Sequence, residues 1–406
     1  MCGMARQANT LSVGADNTQH LSLGVLALCF PVVEVRAIVD RCGKASRRIR
    51  DLPSTVVVFY VIALCLFPST GYESVLRWLL SGLQWLGGAA FRVSGKGALS
   101  AARQRLGEEP MRRIHQQLAV PLANPGLCGC FWKQMHVVAI DGSTLALQDT
   151  KSNAAAFGRP ANQNGAGAYP QARFVALVET GTHLIFSAQL GGYHDSELKL
   201  AQSLVTQLKP GMLCLADRLY SGCALWALAA ATGAHLLWRA KAGMKLERIK
   251  SLPDGSWLAR WQSSARGASK ADEQIVRVVE YKLATPAAGK THEGEGEVFR
   301  LLTTILDPEV ASATELAAYY PQRWEIELTI KEGKTVLRKG RVTLRSKVAE
   351  LVRQEFWGLL LAHYLVRKMM AQAALEQGKD PDSLSYQGSI EIIKSTQAGA
   401  VLSFSP

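Results

Sequence analysis

Tyr320, Arg323, Glu327 and Lys334 stand at offsets 0, 3, 7 and 14 of one segment, Tyr320-Pro-Gln-Arg-Trp-Glu-Ile-Glu-Leu-Thr-Ile-Lys-Glu-Gly-Lys334. At about 100° per residue these positions span roughly 60° of a helix, so one face carries a hydroxyl, a guanidinium, a carboxylate and an ammonium. Glu325 and Glu332 lie about 160° and 140° from Glu327, outside that cationic row. Two more acids follow apolar runs, Asp141 after His136-Val-Val-Ala-Ile140 and Asp217 after Met212-Leu-Cys-Leu-Ala216. Three carboxylates offer hard oxygen ligands for Mg²⁺ or Mn²⁺, and phosphodiester transfer commonly uses two such ions about 3.5–4 Å apart. Neighbouring cations can grip the flanking phosphates and align the scissile bond without competing for metal. Each acid also has a plainer reading: Asp141 before glycine as a turn residue, Asp217 as a helix cap or ion-pair partner, Glu327 as one member of an i,i+4 charge row.

The elements that must position these groups are legible in the periodicity. His136–Asp141 reads as a buried strand ending in the turn Asp141-Gly142. Phe174–Val178 and His183–Ala188 form a hairpin around Glu179-Thr-Gly-Thr182. A helix over Glu197–Leu208 leads to the strand Met212–Ala216, and a helix over Ala224–Ala231 leads to the strand His235–Trp238. Three strands, helix, strand, helix, strand, then an interruption and a helix is the order of the ribonuclease H-like fold. The expected class is therefore α/β, a mixed five-stranded sheet with helices interrupted by a β-rich insertion. The expected segments are a disordered 1–20, an α-helical N-terminal domain at 21–130, the core at 131–239, the insertion at 240–306, the glutamate helix at 307–345 and a C-terminal helical segment at 346–406. Ser312-Ala-Thr-Glu315 has the form of a capping box opening the glutamate helix. Pro321 should kink that helix and Gly333 should weaken it by roughly 1 kcal/mol.

The chain has 406 residues, 48% of them hydrophobic and 19% charged, which is globular rather than disordered composition. A net charge of +13 favours a polyanionic partner. Between Lys331 and Lys368 ten basic residues face three acidic ones, and Arg103, Arg105, Arg112 and Arg113 add cations upstream; both stretches are candidates for gripping a DNA backbone or are simply solvated faces. The eight cysteines show no zinc spacing, and Cys65 and Cys214 sit in apolar runs, which fits a reducing cytoplasm. The apolar runs Leu21–Val33 and Val56–Phe67 are too short for membrane spans of about 20 residues and read as buried helices. No internal repeat is visible.

Ile-Asp141-Gly-Ser, Ala-Asp217-Arg-Leu-Tyr-Ser and Tyr320-x2-Arg323-x3-Glu327-x6-Lys334 together resemble the three catalytic motifs of DDE-type bacterial insertion-sequence transposases, in the group named after insertion sequence four. The resemblance extends from about residue 25 to 395. It implies metal ligation by Asp141, Asp217 and Glu327, and phosphate binding at the transposon end by Tyr320, Arg323 and Lys334. It further implies that activated water frees a 3′-hydroxyl at the element's end, that this hydroxyl attacks target DNA, and that some relatives pass through a hairpin. Double-stranded DNA is the expected partner, in a homo-oligomer holding two ends. Trp238 and Trp324 are candidates for stacking on an unpaired base, with core packing as the alternative. His194 and Glu197 are secondary candidates at the sheet edge, with helix-start capping as their other reading. A ribonuclease H-like nuclease without strand transfer, or an inactive DNA-binding descendant, are the competing functions.

Overall fold

The computed structural model describes residues 23–46, 52–85, 94–162, 165–262, 273–282, 298–340 and 342–395; the expected disordered 1–20 lies outside them. Pro31 divides the first apolar run, so that α1 (Leu23–Cys29) stops before it and α2 (Val32–Arg41) starts after it, as a residue with no N–H and a fixed φ requires. The second run is α3 (Ser54–Leu66), in which every residue from Val57 to Leu66 is buried. A helix apolar on all sides needs neighbours on all sides. They are α2, α4 (Tyr72–Trp85), α5 (Lys96–Leu106) and a long C-terminal helix, while α6 (Glu109–Leu118) packs between α2 and that same helix. Among the described residues no helix is long and apolar enough to cross a membrane.

The α/β portion begins with β1 (Phe131–Trp132) and β2 (Met135–Ala146), followed by α7 (Lys151–Phe157) and the small pair β3 (Ala161–Asn162) and β4 (Gly165–Ala166). Then come β5 (Gln171–Glu179), β6 (Leu184–Gly192), α8 (Glu197–Val205), β7 (Met212–Ala216), α9 (Cys223–Ala230) and β8 (His235–Arg239). Their order in the sheet is β6-β5-β2-β7-β8, with β7 parallel to both β2 and β8 and the β2–β5–β6 meander antiparallel. This is the expected mixed five-stranded ribonuclease H-like core. The insertion strands β9 (Glu247–Ser251), β10 (Trp257–Trp261), β11 (Gln274–Lys282) and β12 (Val298–Thr303) form an antiparallel run that attaches through β12 to β8. The insertion thus prolongs the core sheet and covers what would be an open edge at β8.

Both faces of the central strands are covered, which explains their unbroken apolar runs. Val138, Ile140, Cys214 and Ala216 pack with Ala201 and Leu204 of α8 and Trp226 of α9. Val137, Ala139, Leu213 and Leu215 face the opposite layer, which contains α10 (Ala313–Tyr319), α11 (Glu325–Lys331), α12 (Ala349–Gln377) and α13 (Tyr386–Ser395). α12 is the 29-residue spine against which the N-terminal helices and β6 pack. Gly358 sets its distance from α3, because a Cβ there would lie 2.7 Å from Val61 Cγ1 and 3.3 Å from the Val61 carbonyl oxygen.

That contact makes Gly358→Val an overpacking change expected to cost about 1–3 kcal/mol or more. Gly333 has open space, its nearest neighbour on that side being His363 Cδ2 at 3.7 Å from an added Cβ, so Gly333→Ala should be neutral or stabilising by up to about 1 kcal/mol. Thermal unfolding of the two variants, side by side, checks the contrast.

Candidate active site

The two aspartates are brought together by register. β2 and β7 run parallel with Ile140 opposite Ala216, and there the pairing stops. Asp141 and Asp217 are the next residue on each strand, so they are lateral neighbours at the spacing of adjacent strands, about 4.8 Å. Strand alternation turns Asp141 to the same face as Val137 and Ala139, towards the layer of α11. β2 does not end at Asp141 as the sequence suggested. It continues to Ala146 because β5 goes on pairing with it as far as Ala146 opposite Gln171. Past Ala216, therefore, β2 loses β7 as a partner and, among the described residues, meets another on that side only at the isolated bridge Ala146–Thr343, so a cleft opens where β7 has ended, the usual ligand position at the carboxyl ends of parallel strands.

The glutamate arrives on a segmented helix. Ser312 and Glu315 make the reciprocal capping box and start α10. A 3₁₀ turn at Tyr320–Trp324, with Pro321 at its beginning, separates α10 from α11, and a π turn at Glu332–Val336 follows α11. Proline lacks the N–H that an unbroken helix would use, which accounts for the first break. Arg323 bridges the acids: its Nη2 donates to Glu327 Oε1 at 3.1 Å and its Nη1 lies 3.9 Å from Asp141 Oδ2. Lys334 Nζ donates to Ser143 Oγ at 3.2 Å, two residues beyond Asp141 on β2. Asp141, Asp217, Glu327, Arg323 and Lys334 are thus all gathered around one cleft.

Burial pushes the Asp141 carboxyl up to about 6; the Gly142 N–H and Arg323 pull it down, while Asp217 and Glu327 push it further up. The acids therefore sense one another directly. Asp141 Oδ1 accepts from Gly142 N (2.8 Å), Asp217 Oδ1 accepts from Leu219 N (2.8 Å) and Glu327 Oε1 takes Arg323. Asp217 is thus a cap and a cleft acid at once. Among the described residues each carboxylate keeps its second oxygen without a hydrogen-bond donor. Three hard oxygens set against one guanidinium leave a negative excess that suits a small divalent cation, so the donor set fits Mg²⁺ or Mn²⁺.

The back of the same helix is tied down by a second set of charges. Glu325 and Glu332, excluded from the Glu327 face, lie only about 20° from each other at 100° per residue. Glu325 Oε2 accepts from His183 Nε2 at 2.9 Å. Glu332 pairs with Arg367 of α12, whose Nε reaches Oε2 at 2.9 Å, and Arg367 Nη2 also donates to His183 Nδ1 at 2.5 Å. His183, Glu325 and Asp382 offer ligand atoms within 4.8 Å of one another. Arginine is only a donor, so Nδ1 must accept and Nε2 carries the proton that points at Glu325 and Asp382. That tautomer leaves no lone pair for a metal, and the cluster is a clamp joining the β5–β6 turn, the catalytic helix and α12.

Several sequence expectations change. Trp238 is fully buried, edge-on to Trp226 at 5.2 Å; it is core, because its strand is covered on both faces, and has no surface for DNA. Tyr320 is also buried, and its hydroxyl donates to the Ala216 carbonyl at 3.1 Å, which holds the backbone just before Asp217 and leaves no free group for a phosphate. Trp324 remains exposed at 57%, with the Arg323 guanidinium 4.7 Å from its ring. Arg112 and Arg113 both pair with Glu109, and Arg103 is buried against Gln354 and Ser346, so the exposed cations of that stretch are Arg105 and the Glu109-paired Arg113. In the 331–368 segment, Arg345 bonds to the Phe67 and Thr70 carbonyls and Arg367 belongs to the clamp, so among its described residues the exposed cations are Lys331, Lys339 and Lys347. His194 is exposed beside Tyr193, 5.2 Å between rings, and Glu197 opens α8 without capping it, the cap residue being Ser196. Sequence reasoning missed Ser143, Tyr220 and the clamp; the shared back face of Glu325 and Glu332 was the available signal for the last.

A raised carboxyl pKa means that charge on Asp141 costs the folded state stability above about pH 6, a cost that shrinks as pH falls towards the unfolded value and vanishes below it. Asp141→Asn should accordingly melt higher than the parent in chelator at pH 8, with the advantage fading between about pH 6 and 4. Added Mn²⁺ should raise the parent's melting temperature and leave the variant's nearly unchanged; differential scanning fluorimetry across pH reads both.

Comparison with known proteins agrees with this geometry. Residues 20–116 match the family model of the insertion element 4 transposase N-terminal region, and residues 132–365 match the transposase DDE domain. The chain is 32% identical over 374 residues to the transposase InsG for insertion sequence element IS4 of Escherichia coli K12, covering 88% of this chain and 79% of that one. It is 27% identical over 191 residues to the putative transposase InsZ of the same strain, covering 47% and 62%. A piggyBac transposase synaptic complex with hairpin DNA aligns over 93% of this chain and 80% of that one at TM-score 0.46 and 10% identity, too distant to carry an argument. With the DDE-domain match spanning more than half of its length and a relative of this identity aligned along most of both chains, the chain belongs to the DDE transposases of the insertion element 4 type.

Proposed function

We propose that this transposase cuts DNA at the terminal inverted repeats of its own element and joins the freed 3′-hydroxyl ends to target DNA. The observation that carries the reading is the convergence of Asp141, Asp217 and Glu327 on the cleft past the end of β7, with the buried Arg323 and the half-buried Lys334 beside them. In the first step a water oxygen bonds to phosphorus and the 3′ oxygen leaves as a hydroxyl. In the second that hydroxyl attacks a target phosphate in line and displaces the target's own 3′ oxygen.

Asp141, Asp217 and Glu327 would hold two Mg²⁺ or Mn²⁺ ions through their free oxygens. When bound, such ions lower the pKa of water and stabilise charge on the attacking and leaving oxygens. Arg323, anchored by Glu327, is placed to meet a phosphate beside the scissile bond, and Lys334 meets the next along β2. Tyr320 keeps Asp217 in place through the Ala216 carbonyl. Trp324, exposed next to Arg323, supplies a flat surface for an unpaired base near the cut. Two copies of the chain pair two DNA ends.

A linear duplex carrying the element's ends, incubated with the protein and Mg²⁺ or Mn²⁺, should yield 3′-hydroxyl ends and then joined products. Asp217→Asn and Glu327→Gln should each slow cleavage about a thousandfold or more, as loss of several kcal/mol of transition-state stabilisation requires, while end binding by gel shift persists. Cleavage without joining would mark a nuclease, and cleavage surviving Asp217→Asn would refute the assignment.

A further inference from the structure

Glu197 lies on the other side of the sheet from Glu327 and has no part in the motif that identifies the family. Arg173 of β5 holds its Oε1 at 2.9 Å. Its Oε2 points at β2: a Cβ built on Gly142 would sit 2.7 Å from that oxygen. Gly142 adjoins Asp141, so Oε2 falls within about 8 Å of the Asp141 Cα. No other residue type fits at 142 without displacing this carboxylate. Glu197 is only partly exposed, with 19% of its side chain accessible.

Tyr220 points to the same place from a different element. It is fully buried, and its hydroxyl makes no hydrogen bond of ordinary geometry. Burial raises its ionisation well above the usual range, and the charges of Asp141, Glu197 and Asp217 follow in that order. One buried hydroxyl is therefore within electrostatic reach of three carboxylates, two of them from the proposed metal-binding set. β7 ends at Ala216 while β2 stays paired with β5 to Ala146, and among the described residues no strand pairs with β2 on its β7 side between Asp141 and Leu145. A carboxylate on the α8 side can thus face the same space as those on the α11 side.

Building on the two-ion reading above, we propose that Glu197 is a fourth carboxylate of the centre, a positioning residue that orients water on the ion beside Asp141 with the help of the Tyr220 hydroxyl. Arg173 fixes its direction and reserves Oε1, so that Oε2 alone serves the cleft. Outer carboxylates of this kind tune metal affinity more than they support the fold.

The test is Mn²⁺ binding to the full-length, DNA-free protein, measured by calorimetry and by the electron paramagnetic resonance of free Mn²⁺. Glu197→Gln keeps the shape and an oxygen for Arg173 but loses the charge; it should weaken Mn²⁺ binding about tenfold or more and shift the metal dependence of cleavage to higher concentration. Unchanged Mn²⁺ affinity in Glu197→Gln, beside a clear loss in Asp217→Asn, overturns this inference alone. Unchanged affinity in Asp217→Asn as well overturns the three-acid reading beneath it. If Glu197→Gln melts early, the titration is repeated at a temperature where circular dichroism shows the variant fully folded: a tenfold loss of Mn²⁺ affinity there supports the role at the ion, and parental affinity there overturns it.

Discussion

Carboxylates gathered in a half-buried cleft repel one another, and unit charges about 4 Å apart near a protein surface do so by about 4 kcal/mol. That is comparable with the whole stability margin of a folded domain, about 5–15 kcal/mol. The acids of this protein stay together because rigid elements on every side hold them. Parallel pairing of β2 with β7 fixes two of them side by side, and Arg323 reaches two of the three. The upward displacement of the Asp141 carboxyl to about 6 records first its burial, with the charges of Asp217 and Glu327 adding to it. A divalent cation held there, as proposed, would offset that cost.

Holding the glutamate is harder, because its helix is not regular. Pro321 and the turn around Gly333 divide it into short pieces, which alone would be marginal in water. Its front face is committed to the cleft, so fixation comes from behind. His183, Arg367 and the acids Glu325 and Glu332 tie that back face to α12, and α12 is locked to α3 by the close approach at Gly358. The N-terminal helices thereby support the catalytic geometry through packing, at a distance from the cleft.

The architecture was legible where burial imposes a period. β7 falls where the apolar run predicts it and β8 within one residue of it, and the capping box starts α10 as expected. The acids were legible because carboxylates after buried runs and a cationic helix row have few common explanations together. What the sequence hid was long-range pairing. The extension of β2 beyond Asp141 depends on β5, and the fusion of the insertion to β8 depends on register between distant strands. Trp238 stayed open between core packing and base stacking because nothing local reveals that both faces of its strand are covered; it is core. Tyr320 looked like a phosphate ligand because helical spacing does not foresee that its hydroxyl turns to the Ala216 carbonyl. Glu197 stood as a secondary candidate with helix-start capping as its other reading; its approach to Gly142 is a tertiary fact.

The central claim is spatial, that acids distant in sequence share one set of ions. A crystal grown with Mn²⁺ and read at the manganese absorption edge tests it most directly. The account predicts anomalous peaks in the cleft past the end of β7, each within about 2–2.5 Å of oxygens from Asp141, Asp217 or Glu327. Manganese bound instead at His183, Glu325 and Asp382, with the cleft free of signal at saturating metal, would contradict it.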